Sequence, residues 1–315
     1  IEADVMRNAL IYFMISAISF PFLAVYNACA ALFRSMGNSQ ITLKVSILMN
    51  IINVVGNAVC IFILKMGVAG VAIPSLLSRA FAGIALYILL KNPKHLVHFE
   101  KDPFYLDFST IHKILHIGIP SGIENGLFQL GRVLVVSIIS GFGTIQIAAN
   151  GVANNLDGMG CIMGQAMNLA TITVIGQCVG ANDEKQIRHY TKKLLLITYA
   201  GSALIIGFII TNLSWILSLY GLSQETTDLA ALLIRIHNLN ALFMWPLAFV
   251  LPNVLRACND VKFTMYISIF SMFAFRIGLS YVIGIRMDMG AVGVWIAMIV
   301  DWIFRLIIFI GRYHN

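Results

Sequence analysis

Charged residues are scarce in this chain of 315 residues, where Asp, Glu, Lys and Arg together make up 11% of the sequence. A water-soluble globular domain carries about 25%. Hydrophobic residues account for 59%, the mean hydropathy is +0.86, and several apolar runs reach the length of a membrane-spanning helix. These features exclude a single large water-soluble core. The sequence predicts an all-α, polytopic helical membrane protein, and it lacks the alternating segments of a membrane β-barrel.

Cysteine is sparse and shows no metal-binding spacing. The five cysteines are scattered, mostly within apolar runs, and no CxxC motif or zinc-type Cys/His spacing occurs. His112 and His116 lie one helical turn apart, a metal-compatible spacing, but they have no third ligand nearby in the sequence. No metal site and no cofactor are therefore expected. The spans also lack HExxH and GxSxG motifs, so the chain is not expected to be an enzyme.

Nine apolar segments are long enough to cross a bilayer. Their approximate bounds are 9–33, 42–64, 68–90, 113–141, 152–180, 194–219, 229–255, 262–285 and 290–312. The connections are short except at residues 92–112, where Pro, charged and aromatic residues are mixed. This pattern predicts a first domain at 1–91, an inter-lobe linker at 92–112 and a second domain at 113–315.

The net charge of +7 does not indicate nucleic-acid binding, because the basic residues lie in the connections between apolar segments. Thirteen lysines and arginines lie on one set of alternate connections and three on the other set. Because basic residues are retained on the cytoplasmic side, the linker and the C-terminus are predicted to be cytoplasmic. We expect the protein to contact membrane lipid and not to bind nucleic acid.

Two pairs of matching segments reveal an internal repeat. Residues 33–47 (FRSMGNSQITLKVSI) resemble 255–269 (LRACNDVKFTMYISI), and 66–74 (MGVAGVAIP) resemble 289–297 (MGAVGVWIA). The two members of each pair are separated by nearly the same number of residues. Six helices separate the two copies, so both copies have the same orientation. We expect two six-helix lobes related by a parallel repeat, with the chain a fragment that holds helices 4–12 and lacks the first three.

One apolar segment, residues 117–134, carries a carboxylate at mid-depth. Glu124 follows Pro120, which permits a kink, and lies near Asn125 and Gln129. A charge in hydrocarbon costs about 2.5–3.5 kcal/mol on insertion scales, so an intramembrane acid is a candidate functional residue. The alternative is a Glu buried against a polar neighbour for structural reasons.

Further charged or polar residues lie within the spans and must face protein or water. Asp301 and Arg305 are four residues apart on one helix face, which predicts a structural ion pair. Arg132 and Arg276 are also interpreted as structural charges. For Asp157, His237 and Asn240, a role in lining a cavity and a role in packing both remain open.

The chain resembles the multidrug and toxic compound extrusion (MATE) family over nearly its whole length. The segments that carry the resemblance are Arg34–Asn38, Asn50 and Asn53, Gly67–Ala72, residues 117–124, Gln177–Asn182 and Asp301–Arg305. The resemblance implies a secondary active transporter of the plasma membrane that exports amphipathic, often cationic, organic compounds in exchange for Na⁺ or H⁺. It also implies that Glu124 takes part in cation coupling, with Asn125, Gln129, Asp157, His237 and Asn240 as candidate partners.

The tenth helix departs from the family pattern. Some members carry an acid there, whereas this segment offers Arg235, His237, Asn238 and Asn240 instead. Glu124 is therefore expected to act nearly alone in its lobe. The protein is expected to be monomeric. The alternative function is a flippase for lipid-linked oligosaccharides, since several arginines could receive phosphate. An intramembrane enzyme is the least supported class.

Overall fold

A computed structural model of the protein describes residues 3–99 and 106–314. Within these residues the chain is helical and contains no strand. Nine of its helical stretches are long and apolar enough to cross a membrane. This confirms the predicted class, a polytopic helical membrane protein.

The helices follow one another with short connections. The α-helices are α1 (Ala3–Ser35), α2 (Ser39–Ala58), α3 (Ala69–Leu90), α4 (Phe108–Ser140), α5 (Thr144–Gly160), α6 (Ile162–Gly180), α7 (Glu184–Thr211), α8 (Leu213–Ser218), α9 (Gln224–Trp245), α10 (Leu251–Ala257), α11 (Val261–Ser271) and α12 (Gly290–His314). Three π-helical segments continue α2, α9 and α11, at Val59–Ile63, Pro246–Val250 and Met272–Arg286. Residues 100–105 of the predicted linker lie outside the described residues.

The chain separates into two compact units, residues 1–105 and 106–315. The first unit contains α1–α3, and its core forms around Phe33, Ala82 and Leu86, which are buried. Gly83 lets α3 approach α1 closely, because a Cβ there would lie 2.7 Å from the Phe22 carbonyl oxygen. The outward-facing apolar side chains of the unit suit a lipid environment.

The second unit contains α4–α12, and its main core lies where α5, α9 and α12 pack together. Leu156, Leu233 and Trp295 are among the buried side chains there. A smaller core joins α6 to α10 and α12 around Ile175, Val254 and Phe309. These two cores hold the buried charged residues described below.

The first sequence match of the repeat has the same backbone conformation in both units. Gly37 has φ +75° and Asn259 has φ +71°. In each copy the backbone N–H of this residue donates to the carbonyl oxygen of the arginine three residues earlier. The distances are 2.9 Å to Arg34 and 3.0 Å to Arg256. The following N–H reaches the carbonyl five residues back in both copies, a common way to end a helix.

The second match is equally well reproduced. Lys65 and Asp288 have φ values of +51° and +56°, and Gly67 and Gly290 have +58° and +55°. A π-helical segment precedes this turn in both units. The repeat predicted from sequence therefore exists as repeated local structure.

The fifth apolar segment differs from its predicted bounds. The sequence predicts a start at residue 152, whereas α5 already begins at Thr144, directly after Gly143, which has φ +97°. The helix then breaks at Cys161 before α6 continues to Gly180. The polar residues at the start of α5 lower the hydropathy of this segment but do not prevent helix formation, because an α-helix is held by hydrogen bonds within its own backbone.

Close packing of the last helix predicts a stability effect at Gly293. An alanine Cβ there would lie 2.9 Å from backbone atoms of Ile283 and Gly284, which cannot move aside as a flexible side chain can. We expect Gly293→Ala to lower the free energy of unfolding by about 1–3 kcal/mol. Thermal melting in detergent checks this against Gly176→Ala, where a Cβ meets open space. Equal melting of the two variants would contradict the packing argument.

Candidate functional site

Glu124 is paired and does not stand alone in its unit. Its Oε1 accepts a hydrogen bond from Arg256 Nη2 at 2.5 Å, which joins α4 to α10. Glu124 is 9% exposed, and its other oxygen, Oε2, has no hydrogen-bond partner among the described residues. Glu124 therefore has a basic partner, and the expectation that it acts nearly alone as the acid of its lobe stays a prediction. Arg256 directly follows the seventh predicted span, 229–255, which is the tenth helix when the three predicted missing helices are counted.

Arg256 belongs to a polar chain that runs from α4 to α6. Its Nη1 donates to Asn253 Oδ1 at 2.6 Å, and Asn253 Nδ2 donates to Asn168 Oδ1 at 2.8 Å. Asn253 also donates to the Phe249 carbonyl oxygen at 3.0 Å. The network fixes the guanidinium opposite Glu124, because each member is held by its neighbour.

Irregular backbone positions this network. Pro120 lies one turn before Glu124 in α4, and Pro246 begins the π-helical segment that leads into α10. A π-helical turn adds a residue to the helix and rotates all later side chains about the axis. The widened turn therefore decides which face of α10 presents Asn253 and Arg256 to the bundle.

The Glu124 side of α4 borders a cavity of about 360 Å³. Besides Glu124 and Arg256, its lining includes polar groups, aromatic rings and a second arginine, namely Asn125, Asn168, Asn253, Phe128, Phe249 and Arg305. We call this the Glu124 cavity. It combines one carboxylate, two guanidinium groups and an apolar wall, as is usual for a site that binds small molecules.

The two predicted neighbours of Glu124 have different positions. Asn125 lines the Glu124 cavity, and its Nδ2 donates to the Ser121 carbonyl oxygen of its own helix at 2.8 Å. Gln129 is exposed and is not part of the cavity lining. The structure thus brings Asn125 to the cavity and leaves Gln129 outside it.

Asp157 and His237 meet in a second polar cluster. His237 Nε2 lies 2.8 Å from Asp157 Oδ1, and Cys161 Sγ donates to the same oxygen at 3.4 Å. The His237 side chain is 1% exposed and the Asp157 side chain is 25% exposed. Asn240 is not part of this cluster, since its Nδ2 donates to the Ile236 carbonyl oxygen at 2.7 Å.

A third cluster surrounds Asp301, which is fully buried. Arg305 Nε donates to Asp301 Oδ1 at 2.9 Å, as the spacing of four residues predicts, and Ser271 donates to the same oxygen. Arg276 Nη1 lies 3.8 Å from Asp301 Oδ2. Arg305 also donates to the Ser268 carbonyl oxygen, so it ties α12 to α11. The geometry suits a structural role in holding the helices together.

Arg132 has a different environment from the other predicted structural charges. It is exposed, and within the described part of the chain no carboxylate lies within ion-pair distance of it. Together with Arg276 it lines a cavity of about 330 Å³, which we call the arginine cavity. The remaining lining residues are Val135, Val136, Ile139, Ile147, Asn150, Gly151, Asn154, Val294, Trp295 and Met298.

Two site residues escaped the sequence reasoning. Arg256 counts among the thirteen basic residues assigned to the connections, although it also lies in the repeat match at 255–269. Cys161 is one of the five scattered cysteines, for which the sequence predicts apolar packing. Its contact with Asp157 follows from a spacing of four residues, but its proximity to His237 joins residues far apart in sequence, which no spacing rule could find.

These features define the class: a helical membrane protein with cavities and buried ionisable residues inside its bundle, as membrane transporters have. The family model described as MatE matches residues 120–282, about half of the chain. The protein belongs to the MATE family of transporters. Since that family consists of transporters, the prediction that the chain is not an enzyme is confirmed.

Individual relatives agree with this family. The uncharacterized transporter YisQ of Bacillus subtilis (strain 168) is 28% identical over 91% of this chain and 64% of its own length. The probable multidrug resistance protein YoeA of the same strain is 24% identical over 93% of this chain and 65% of its own length. A crystal structure of a MATE protein in complex with MaD3S superposes with a TM-score of 0.89 at 18% identity, over 100% of this chain and 70% of that one. The chain thus spans slightly less than two thirds of these two bacterial relatives.

The buried charge of Asp301 predicts a large loss of stability in Asp301→Asn. The substitution leaves the guanidinium of Arg305 buried without its anion, which costs about 3–5 kcal/mol. Asp260→Asn is the matched control, because the Asp260–Arg312 pair is partly exposed and such pairs contribute about 0–1 kcal/mol. Detergent melting measures both variants. Similar melting temperatures would show that the Asp301 cluster does not hold the helices together.

Proposed function

We propose that the protein is a cation-coupled antiporter that exports amphipathic organic compounds across the plasma membrane by alternating access. The observation that carries this proposal is the Glu124–Arg256 pair at the wall of a cavity in a MATE-family bundle. The relatives named as multidrug resistance proteins support an organic substrate. The coupling ion is Na⁺ or H⁺.

Competition for one carboxylate provides the coupling. Arg256 occupies Oε1 of Glu124, while Oε2 is buried without a partner. A carboxylate in this position can be satisfied by Arg256, by a proton or by a Na⁺ ion, but an unpaired charge there is costly. Arrival of the coupling cation therefore releases Arg256, and departure of the cation restores the pair. The two arrangements supply the two states that an antiporter needs.

The same competition accounts for an organic cation as substrate. Phe128 and Phe249 line the Glu124 cavity, and the Arg305 guanidinium lies 5.7 and 5.4 Å from their ring centroids. These rings thus already bind a cation by cation–π attraction. An amphipathic cation that displaces Arg256 finds a carboxylate and aromatic surface together. Coupling cation and substrate then exclude one another at Glu124, as exchange requires.

The remaining parts of the proposal follow from sequence. The excess of basic residues on alternate connections supports a cytoplasmic linker and a cytoplasmic C-terminus. We further propose that the transporter acts as a monomer in contact with membrane lipid. No cofactor other than the coupling ion is required.

Removing the charge of Glu124 tests the coupling role. We expect Glu124→Gln to reduce cation-driven dye efflux in membrane vesicles by roughly tenfold to a hundredfold, because a charge-assisted hydrogen bond of about 1.5–3 kcal/mol and the cation site are both lost. Glu184→Gln serves as the matched control, since Glu184 is exposed in the first turn of α7. Coupled efflux at the control rate would contradict the proposal.

The double variant Glu124→Gln/Arg256→Gln separates coupling from stability. It removes both charges, so the uncompensated guanidinium of the single variant disappears and melting stability recovers. If Glu124 couples transport, efflux stays low in the double variant. If Glu124 only stabilises the bundle, efflux recovers together with stability.

The arginine cavity favours a second candidate function, the transport of an amphipathic anion such as a lipid-linked oligosaccharide. Arg132 and Arg276 line it, and no acidic residue is among its lining residues. Valine, isoleucine and methionine side chains and Trp295 form an apolar part of the wall that suits an apolar tail, and Asn150 and Asn154 add polar groups. Two guanidinium groups can bind phosphate oxygens by charge-assisted hydrogen bonds.

Competition between substrates distinguishes the two functions. If the protein exports organic cations, cationic dyes compete with one another, and an amphipathic phosphate does not reduce dye efflux. If it moves an anionic lipid, the phosphate competes, and Arg132→Gln weakens that competition by roughly tenfold or more. Lys185→Gln is the control for loss of a positive charge outside the cavities. Inhibition by phosphate that Arg132→Gln leaves unchanged would exclude the arginine cavity as the site.

A further inference from the structure

We propose that Asp157, Cys161 and His237 form a binding site for a divalent transition-metal ion of the zinc type. The three residues offer one carboxylate oxygen, one sulfur and one imidazole nitrogen, and these atoms all lie within 4.8 Å of one another. The site is distinct from the Glu124 cavity and does not depend on the proposed antiport. It therefore can be tested by metal binding alone.

The cluster is built from two parts of the bundle. Asp157 and Cys161 are one turn apart, and Cys161 occupies the break between α5 and α6. His237 faces them from α9, where its ring lies edge-on to Trp295 and Trp302 at centroid distances of 5.2 and 4.8 Å. The two indole rings restrict rotation of the imidazole. A metal ion here would join the broken helix to α9.

A simple hydrogen-bonded pair does not account for the arrangement. His237 is 1% exposed, and neither of its ring nitrogens has a directed hydrogen bond among the described residues, although Nε2 lies 2.8 Å from Asp157 Oδ1. Cys161 Sγ approaches the same oxygen at 3.4 Å. A buried imidazole without a directed partner, turned towards a thiol and a carboxylate, is explained when all three share an ion.

A further orphaned acceptor lies beside the cluster. Asn238 Oδ1 is buried without a hydrogen-bond partner and faces Gly160, the residue before Cys161. A Cβ at Gly160 would lie 2.5 Å from this oxygen. A water molecule on the open coordination position of a metal could donate to such an acceptor, as outer groups commonly do in metal sites.

The ligand set selects the kind of ion. Na⁺, Mg²⁺ and Ca²⁺ prefer oxygen ligands, whereas a thiolate with an imidazole favours Zn²⁺ and chemically similar divalent ions. Zinc bonds of about 2.0–2.3 Å place tetrahedral ligand atoms about 3.3–3.8 Å apart. Binding therefore widens the Asp157–His237 contact of 2.8 Å slightly, whereas the Cys161–Asp157 distance of 3.4 Å already fits. Neutral imidazole and thiolate are the binding forms, so the thiol proton is released to solvent.

The test is direct binding of Co²⁺ and Zn²⁺ to the purified protein in detergent. We expect one Co²⁺ per chain at the site, with the intense absorption that a cobalt–thiolate bond produces, and displacement of this signal by Zn²⁺. Zn²⁺ in large excess over its dissociation constant is expected to raise the melting temperature by several degrees. Cys161→Ser is expected to abolish the thiolate signal, and His237→Ala to weaken Zn²⁺ binding by about a hundredfold or more.

Other cysteine and histidine residues of the same unit provide matched controls. Cys178→Ser removes a buried cysteine of α6 outside the cluster, and the double variant His112→Ala/His116→Ala removes the histidine pair of α4. Both controls are expected to keep the cobalt signal and the Zn²⁺-dependent stabilisation. Melting without metal shows that each variant is folded, and Cys161→Ser changes the side-chain volume little.

Two results would overturn the proposal. If Cys161→Ser melts like the parent protein and retains the cobalt–thiolate signal, the metal is held elsewhere. If neither Co²⁺ nor Zn²⁺ binds at micromolar concentrations to the folded parent protein, Asp157 and His237 form only a contact between two side chains. Loss of dye efflux in the same variants has no bearing on either outcome, so failure of the metal site and failure of the antiport proposal remain separate.

Discussion

Charges inside an apolar helix bundle must be paired, because neither lipid nor protein solvates a lone charge well. The second unit of this protein satisfies that constraint at three places. Glu124 is paired with Arg256, Asp157 lies against His237, and Asp301 is shared by two arginines. Each pair joins helices that are distant in sequence or holds a helix against its neighbour. The position of the charges therefore determines both the packing of the bundle and the places where ions can act.

The three clusters differ in the number of partners that surround the acid and in their access to a cavity, and this difference separates structure from function. Asp301 is fully buried, and its Oδ1 receives hydrogen bonds from two side chains. Its Oδ2 has no hydrogen-bond partner among the described residues but lies 3.8 Å from the Arg276 guanidinium. Glu124 has one oxygen bound and one free beside a cavity. His237 has no directed hydrogen bond although it touches Asp157. An acid held between two guanidinium groups resists change, whereas an acid with one partner beside a cavity can exchange that partner for an ion or a ligand.

Breaks in the helices bring these groups together. The π-helical turn at 246–250 lies between His237 and Arg256, so the two residues serve different sites from one continuous helical stretch. Cys161 lies at the break in the fifth predicted span, and Pro120 precedes Glu124. In a membrane such irregular backbone persists only where protein or water satisfies the freed groups. The breaks and the buried charges thus occur together for the same physical reason.

The sequence by itself determined the class of protein, the number of spans and the repeat. Those properties depend on apolar length, loop charge and local turn conformation, which are encoded by neighbouring residues. It also identified Glu124, Asp157, His237 and Asp301 as costly groups, and it predicted the Asp301–Arg305 contact from a spacing of four residues. Only the tertiary structure decided that Glu124 meets Arg256 and that Cys161 meets His237. Such contacts depend on the rotation of each helix about its axis, which a single widened turn changes and which no local pattern records.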